Sequence, residues 1–288
     1  MTLRPGSGST LVDLHLHTTA SDGTLRPREL VAEAARRGVR VLAVTDHDST
    51  DGLAEAIEEA RRHPPLTVVP GIEINCDVEG AEIHILGYCM EYEAPWFQDF
   101  CRAQREERRA RVHRMADRLA GLGLPIDVER VFALVQEGSA GRPHVARVMV
   151  ERGYVKTVRE AFDRYLAAGK PAHIPRKKLT PEDAVRLLRR AGGVPVFAHP
   201  GLSDRDDLIP SLVTAGLMGI ECFYNEHSAA QRGTYVELCR QYDLVATGGS
   251  DFHGPPVRAA VLGNPTVPLA VWEALQVKAA EARATRPA

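Results

Sequence analysis

Asp13-Leu14-His15-Leu16-His17-Thr18-Thr19-Ala20-Ser21-Asp22-Gly23 is the stretch on which the reading of this chain turns. Residues 11–17 alternate as a strand does, so His15 and His17 share one face, and Asp22 follows in the adjoining loop. Two imidazoles at a strand end, with a carboxylate arriving beside them, suit a divalent cation far better than an apolar core. The remaining ligands must then come from elsewhere in the chain.

Working outward, a helix from Arg26 to about Arg37 leads to the apolar strand Val39–Thr45, which runs into Asp46-His47-Asp48. A helix from Gly52 to about Arg62 follows, with Ser49 or Asp51 available to cap it. Strand Leu66–Ile74 carries Glu73, and strand Glu82–Tyr88 carries His84. From Trp96 to about Thr180 the spacing is mostly helical, and then the strand-helix rhythm resumes. It gives a helix over Pro181–Arg190, strands over Val194–Gly201, Gly219–Phe223 and Leu244–Thr247, and helices over Ala229–Tyr242 and Pro268–Ala284. Polar residues gather at strand ends, where open α/β sheets and (β/α) barrels place their chemistry. The pattern predicts an α/β fold in three stretches: a first barrel part at 1–95, an inserted helical subdomain at 96–180, and a second barrel part at 181–288.

The 288 residues, 44% of them hydrophobic, are enough for one large domain with an insertion. No stretch approaches the ~20 apolar residues that span a bilayer, and the first ten residues lack the build of a secretion signal, so a cytoplasmic protein is expected. Five cysteines without a C-x-x-C pair argue against both a disulfide framework and a thiolate zinc site. The net charge of −2 hides an asymmetry: residues 97–180 carry 18 Lys/Arg against 10 Asp/Glu. A basic insertion in an acidic body points to an anionic substrate beside a metal-binding cluster. No obligate protein partner is evident.

The strand ends together offer His15, His17, Asp22, His47, Glu73, His84, His199, Asp251 and His253, six histidines and three carboxylates with no cysteine. So many buried polar groups are costly unless they share a ligand. Nine nitrogen and oxygen donors exceed the needs of one ion, so two or three divalent ions sharing a carboxylate are expected. Such clusters activate water for displacement at phosphorus.

With these motifs in view, the chain resembles the polymerase and histidinol phosphatase (PHP) superfamily. The likeness rests on Asp13-Leu14-His15-Leu16-His17 with Ser21-Asp22-Gly23, Thr45-Asp46-His47-Asp48, Pro70-Gly71-Ile72-Glu73, His84, Ala198-His199-Pro200 and Gly249-Ser250-Asp251-Phe252-His253. It implies a distorted (β/α)₇ TIM-like barrel. It also implies one metal on His15, His17, Glu73 and Asp251, a second on Glu73, His84 and His199, and a third on Asp22, His47 and His253, with Glu73 bridging. Aspartate at position 22 leaves manganese, iron or zinc open.

Gly141-Arg142-Pro143-His144 and Gly169-Lys170-Pro171-Ala172-His173-Ile174-Pro175-Arg176 resemble the branch containing nucleoside 3′,5′-bisphosphate phosphatases and 5′ to 3′ exoribonucleases. The resemblance implies that Arg142, His144, Lys170 and Arg176 contact substrate phosphates, and Asn225 is a further candidate. Arg102, Arg105 and Arg109 read as a solvated helix face, and Asp46 and Asp48 as supports for His47. The expected reaction is attack of a metal-bridging hydroxide on a phosphomonoester or a 5′-terminal phosphodiester, with Glu73 and His199 at its centre and His199 able to protonate the leaving alkoxide. The substrate is then a phosphorylated nucleotide or a short 5′-phosphorylated oligonucleotide. The alternatives are a histidinol-phosphate phosphatase, an amidohydrolase-like enzyme and a non-catalytic metal-bound interaction module.

Overall fold

The computed structural model describes residues 11–79, 81–135, 139–175, 179–255 and 260–287. Strand β1 (Leu11–Leu16), helix α1 (Pro27–Arg36), β2 (Val39–Val44), α2 (Leu53–Ala60), β3 (Thr67–Val78) and β4 (Ala81–Tyr88) come first. Next are α3 (Pro95–Gly121), α4 (Val128–Ala133), α5 (Arg142–Glu151) and α6 (Val158–Ala161), which continues into a π-helical turn at Phe162–Leu166. Then follow α7 (Pro181–Arg190), β5 (Val194–Phe197), α8 (Ile209–Ala215), β6 (Gly219–Phe223), α9 (Ala229–Gln241), β7 (Val245–Gly248) and α10 (Leu269–Ala284).

The fold is mixed α/β, with one seven-stranded sheet whose strands pair in chain order. Alternation along β2 shows why its near-continuous apolar run was needed. Val41 and Ala43 join Val12, Val69, Leu86 and Val196 in one core, while Leu42 and Val44 face another beneath α1 and α2 with Leu30 and Leu53. Burying each such side chain contributes about 1.5–3 kcal/mol. Beyond β7 the chain returns to β1: the Asp251 N–H donates to the His15 carbonyl at 2.9 Å, and the His17 N–H donates to the Phe252 carbonyl at 3.0 Å. Asp13 secures this seam, accepting from the Ser250 N–H and hydroxyl at 2.8 and 2.7 Å and from the Gly263 N–H at 2.8 Å.

Several local expectations are corrected. β3 continues to Val78 and turns directly into β4, which runs antiparallel to both β3 and β5. His84 therefore lies in the first half of its strand, opposite Asn75, and the reversed direction brings it to the rim where β1 and β2 end. β5 stops at Phe197, because His199 has φ 28° and Pro200–Leu202 form a 3₁₀ turn. α2 begins without a side-chain cap, and the Ser49 hydroxyl accepts from the Asp51 N–H instead.

Helix α3 joins two cores. Phe97 and Cys101 pack with Ile72, Ile83, Val185 and Leu188, whereas Val112, Met115 and Leu119 build a separate core with Phe132, Val145 and Met149. Arg111 and Arg118 donate to the carbonyls of Ile174 and His173, each at 2.6 Å, and so tie that segment along α3. Among the described residues, no helix is long and apolar enough to cross a membrane.

Gly249 lies against the backbone of β1, where an added Cβ would stand 2.4 Å from the His15 nitrogen. Gly249→Ala must displace the strand that carries His15, so it is expected to cost about 1–3 kcal/mol in thermal or denaturant unfolding. An unchanged midpoint would refute the close approach.

Candidate metal centre

Five stretches of backbone bring the cluster together: β1 with the loop that follows it, the loop after β2, the β3–β4 hairpin, the segment after β5 and the segment after β7. Glu73 is the hub. Its Oε2 lies 3.3 Å from His15 Nε2, 3.2 Å from His17 Nε2 and 2.9 Å from His47 Nδ1. Its Oε1 lies 2.8 Å from His84 Nδ1 and 3.2 Å from His199 Nε2. Asp251 Oδ1 stands 3.5 and 3.3 Å from the Nε2 atoms of His15 and His17. On the other side, Asp22 Oδ1 is 3.2 Å from His253 Nε2, and Asp22 Oδ2 is 3.7 Å from His47 Nε2. All nine residues singled out from the strand ends thus lie in one cluster.

The groups behind the cluster set its geometry. Glu221 on β6, fully buried, accepts from His15 Nδ1 at 2.9 Å and from the His199 backbone N–H at 2.8 Å. A proton held on Nδ1 leaves Nε2 as the inward-facing nitrogen. Arg108, reaching in from α3, donates to Asp48 Oδ2 at 2.7 Å and to Asn75 Oδ1. The Asn75 amide also lies 2.6 Å from His84 Nε2, which leaves His84 Nδ1 turned toward Glu73 Oε1 at 2.8 Å. His227 braces the loop after His199, accepting from the Gly201 N–H at 3.2 Å. Asp46 holds the Thr18–Ser21 loop, accepting from the Thr18 hydroxyl at 2.7 Å and the Ser21 hydroxyl at 2.6 Å. Neither Asp46 nor Asp48 supports the His47 ring as expected: one secures a loop and the other pairs with Arg108.

Burial opposes charge throughout, and the partners decide each outcome. It pushes His17 down to about 4 and His47 down to about 3, leaving both imidazoles neutral. At His15, burial is outweighed by Glu221 and Glu73, which lift it to about 10; at His84, Glu73 lifts the pKa to about 9. The surrounding histidines overcome burial at Glu73 and hold its carboxyl well below the usual range.

The donor set fits divalent ions. His15 Nε2, His17 Nε2, Asp22 Oδ1, His47 Nδ1 and Glu73 Oε2 are buried without a hydrogen-bond partner, and all belong to the cluster. Sets of three or four donor atoms drawn from these residues lie within 4.8 Å of one another. Orphaned buried polar atoms are rare, and convergence of five satisfies the requirement for a cation-binding site.

Most of the cluster lines a cavity of about 520 Å³, together with Arg142, Pro143, Val158, Arg159 and Phe162. Of the expected phosphate contacts, Arg142 reaches this cavity, where Glu82 pairs with it. His144 does not: it is buried, and its Nδ1 accepts from the Gly141 N–H at 3.1 Å, so it caps α5. Lys170 is exposed and lines no part of the cavity. Asn225 borders a separate cavity with Tyr224 and Asn264, and its amide donates to the Asn264 carbonyl. Arg176 lies outside the described residues. Arg102 and Arg105 pair with Asp99 and Asp51, and Arg109 stacks on Phe132, as a solvated face would.

A PHP domain profile matches residues 13–96. The 5′-3′ exoribonuclease Rnm of Salmonella typhimurium is 38% identical over 251 residues, 85% of this chain and 86% of that protein. The 3′,5′-nucleoside bisphosphate phosphatase of Chromobacterium violaceum is 33% identical over 287 residues, covering 96% and 99%. The chain belongs to the PHP superfamily. A solved structure from Bifidobacterium adolescentis, described as a metal-dependent phosphoesterase, superposes with a TM-score of 0.86 at 29% identity, over 96% of this chain and 98% of that one. As a PHP protein the chain is a phosphate-ester hydrolase.

Sequence reading missed Glu221, Arg108, Asn75 and Glu82, all placed around the PHP cluster. For Glu221 a signal existed: a lone acid inside the apolar strand Gly219-Ile220-Glu221-Cys222-Phe223. Glu221→Gln is expected to lower metal affinity about 10- to 100-fold in a chelator-competition titration, and affinity equal to the parent protein would dismiss its role. Because protons on His15 and His84 compete with a cation, metal uptake should release protons at neutral pH and tighten as pH rises toward 9. Calorimetry in buffers of differing ionisation enthalpy reads this release directly, and buffer-independent heats would contradict it.

Proposed function

We propose that this chain releases phosphate from nucleoside 3′,5′-bisphosphates or nucleotides from the 5′ end of short RNA. The observation that carries the reading is the convergence of five unpartnered donor atoms in one cluster, of which Asp22, His47 and Glu73 line a cavity together with arginines and apolar side chains. The names of the Salmonella and Chromobacterium relatives support the same substrate class. A simple small phosphate ester would leave most of a 520 Å³ cavity unused.

In this reading two or three divalent ions, manganese, iron or zinc, are held by His15, His17, Glu73 and Asp251, by Glu73, His84 and His199, and by Asp22, His47 and His253. Bound there, such ions supply Lewis-acid polarisation of a phosphoryl oxygen and lower the pKa of water. Glu73 bridges, which its two oxygens facing different histidines support. Neutral His17 and His47 offer lone pairs, and Glu221 keeps His15 turned inward. His199 Nε2 faces Glu73, which favours a ligand role for that nitrogen over proton donation to the leaving alkoxide. The seam between β1 and the segment after β7 supports a closed, distorted seven-stranded barrel, and the separate core of α3–α6 supports an inserted subdomain over residues 96–180.

The test is a panel of adenosine 3′,5′-bisphosphate, a 5′-phosphorylated RNA trinucleotide and histidinol phosphate, assayed after manganese loading. The nucleotide substrates should lead, chelator should abolish turnover, and Glu73→Gln should lower kcat/KM on the order of 10³-fold. Turnover that survives chelation, or a preference for histidinol phosphate, would overturn the assignment.

A further inference from the structure

We propose that α6 and its π turn form a nucleotide-recognition subsite in which Phe162 stacks on the base and Arg159 holds a second phosphate. This rests on the phosphate-ester reading of the cavity and adds which groups read the rest of the substrate.

Among the described residues, three arginines line the cavity: Arg108, Arg142 and Arg159. Arg108 is buried and committed to Asp48 and Asn75. Arg142 is committed to Glu82, with its guanidinium 5.5 Å from the centroid of the Phe162 ring, within cation–π reach. An incoming phosphate would have to displace a carboxylate from either. Arg159 differs. Its contact with Asp163 is 3.8 Å long, and the two side chains are 91% and 68% exposed, so water screens the pair almost completely. A phosphate displaces little there and can engage the guanidinium in two-pronged fashion.

The aromatic group follows from the backbone. Phe162 opens the π-helical turn, a widened geometry found mostly as single turns and frequently at functional sites. The ring is half-buried, packed on the core of α3–α6 and also bordering the cavity. With Val158 and Pro143 it gives an apolar lining to a cavity otherwise lined by imidazoles, carboxylates and arginines. A phosphate or sugar gains nothing from such a lining, whereas a nucleobase stacks on it whatever its identity. The subsite therefore predicts demand for a base with little preference among bases.

The experiment measures binding by calorimetry, and kcat/KM, for adenosine 3′,5′-bisphosphate and for ribose 5-phosphate in the manganese-loaded full chain. The parent protein is compared with Arg159→Ala, Phe162→Ala and Phe162→Tyr. The preference for the nucleotide over ribose 5-phosphate should fall about tenfold in Arg159→Ala and in Phe162→Ala, and stay within about twofold of the parent in Phe162→Tyr. A preference unchanged in both alanine variants, or equal losses on both ligands, overturns the subsite. Arg159 is exposed, so its variant decides the matter if Phe162→Ala does not fold. If the parent binds the nucleotide but hydrolyses neither ester, the hydrolase reading fails, and the subsite is judged on the binding ratio alone.

Discussion

A buried carboxylate encircled by five imidazoles is the constraint from which the rest of the structure follows. An isolated ion in the position of Glu73 would cost several kcal/mol to bury. Its backbone is clamped on both sides, with its N–H donated to the Asp46 carbonyl at 3.2 Å and its carbonyl accepting from the Asp48 N–H at 2.9 Å. The residues around it keep the correct nitrogens turned toward it, Glu221 from behind His15 and Asn75 from behind His84. The strands are shaped to the same end: β4 reverses direction, and His199 and Asp251 adopt positive φ values that most residues avoid.

Arg108 links this centre to the helical segment. Its guanidinium spans Asp48, next to His47, and Asn75, two residues from Glu73, while its own helix contributes to the core of α3–α6. The helical segment is therefore tied to the cluster through a buried, hydrogen-bonded charge and not through apolar contact alone. Loss of this arginine would leave Asp48 as an unpaired buried charge beside the cluster.

Much of this was legible in the sequence, and for identifiable reasons. Period-two alternation exposed the shared face of His15 and His17, and the apolar run of Val39–Val44 marked a strand covered on both sides. Glu221 and Arg108 were not legible because their meaning lies in partners 206 and 60 residues away, and nothing local distinguishes one arginine of α3 from its neighbours. The hairpin of β3 and β4 was hidden because strand direction leaves no mark on side-chain alternation. His144, Lys170 and Asn225 show the opposite limit. Their residue types suit phosphate, while the structure shows His144 buried as a cap, Lys170 exposed and Asn225 bonded to a neighbouring carbonyl.

The seam at Asp13 also sets a sequence in time. Ser250 and Asp13 are 237 residues apart, and Asp251 and His253 follow directly. During synthesis His17 is made 234 residues before Asp251 (251 − 17), so the two sides of the cluster cannot meet until that stretch has been added. Such a long-range closure is entropically late and slow to form. A nascent chain halted before Ser250 thus carries seven of the nine donors, with Asp13 deprived of its seam partners and the cluster open along one side. The cluster is complete only once the segment after β7 has been made.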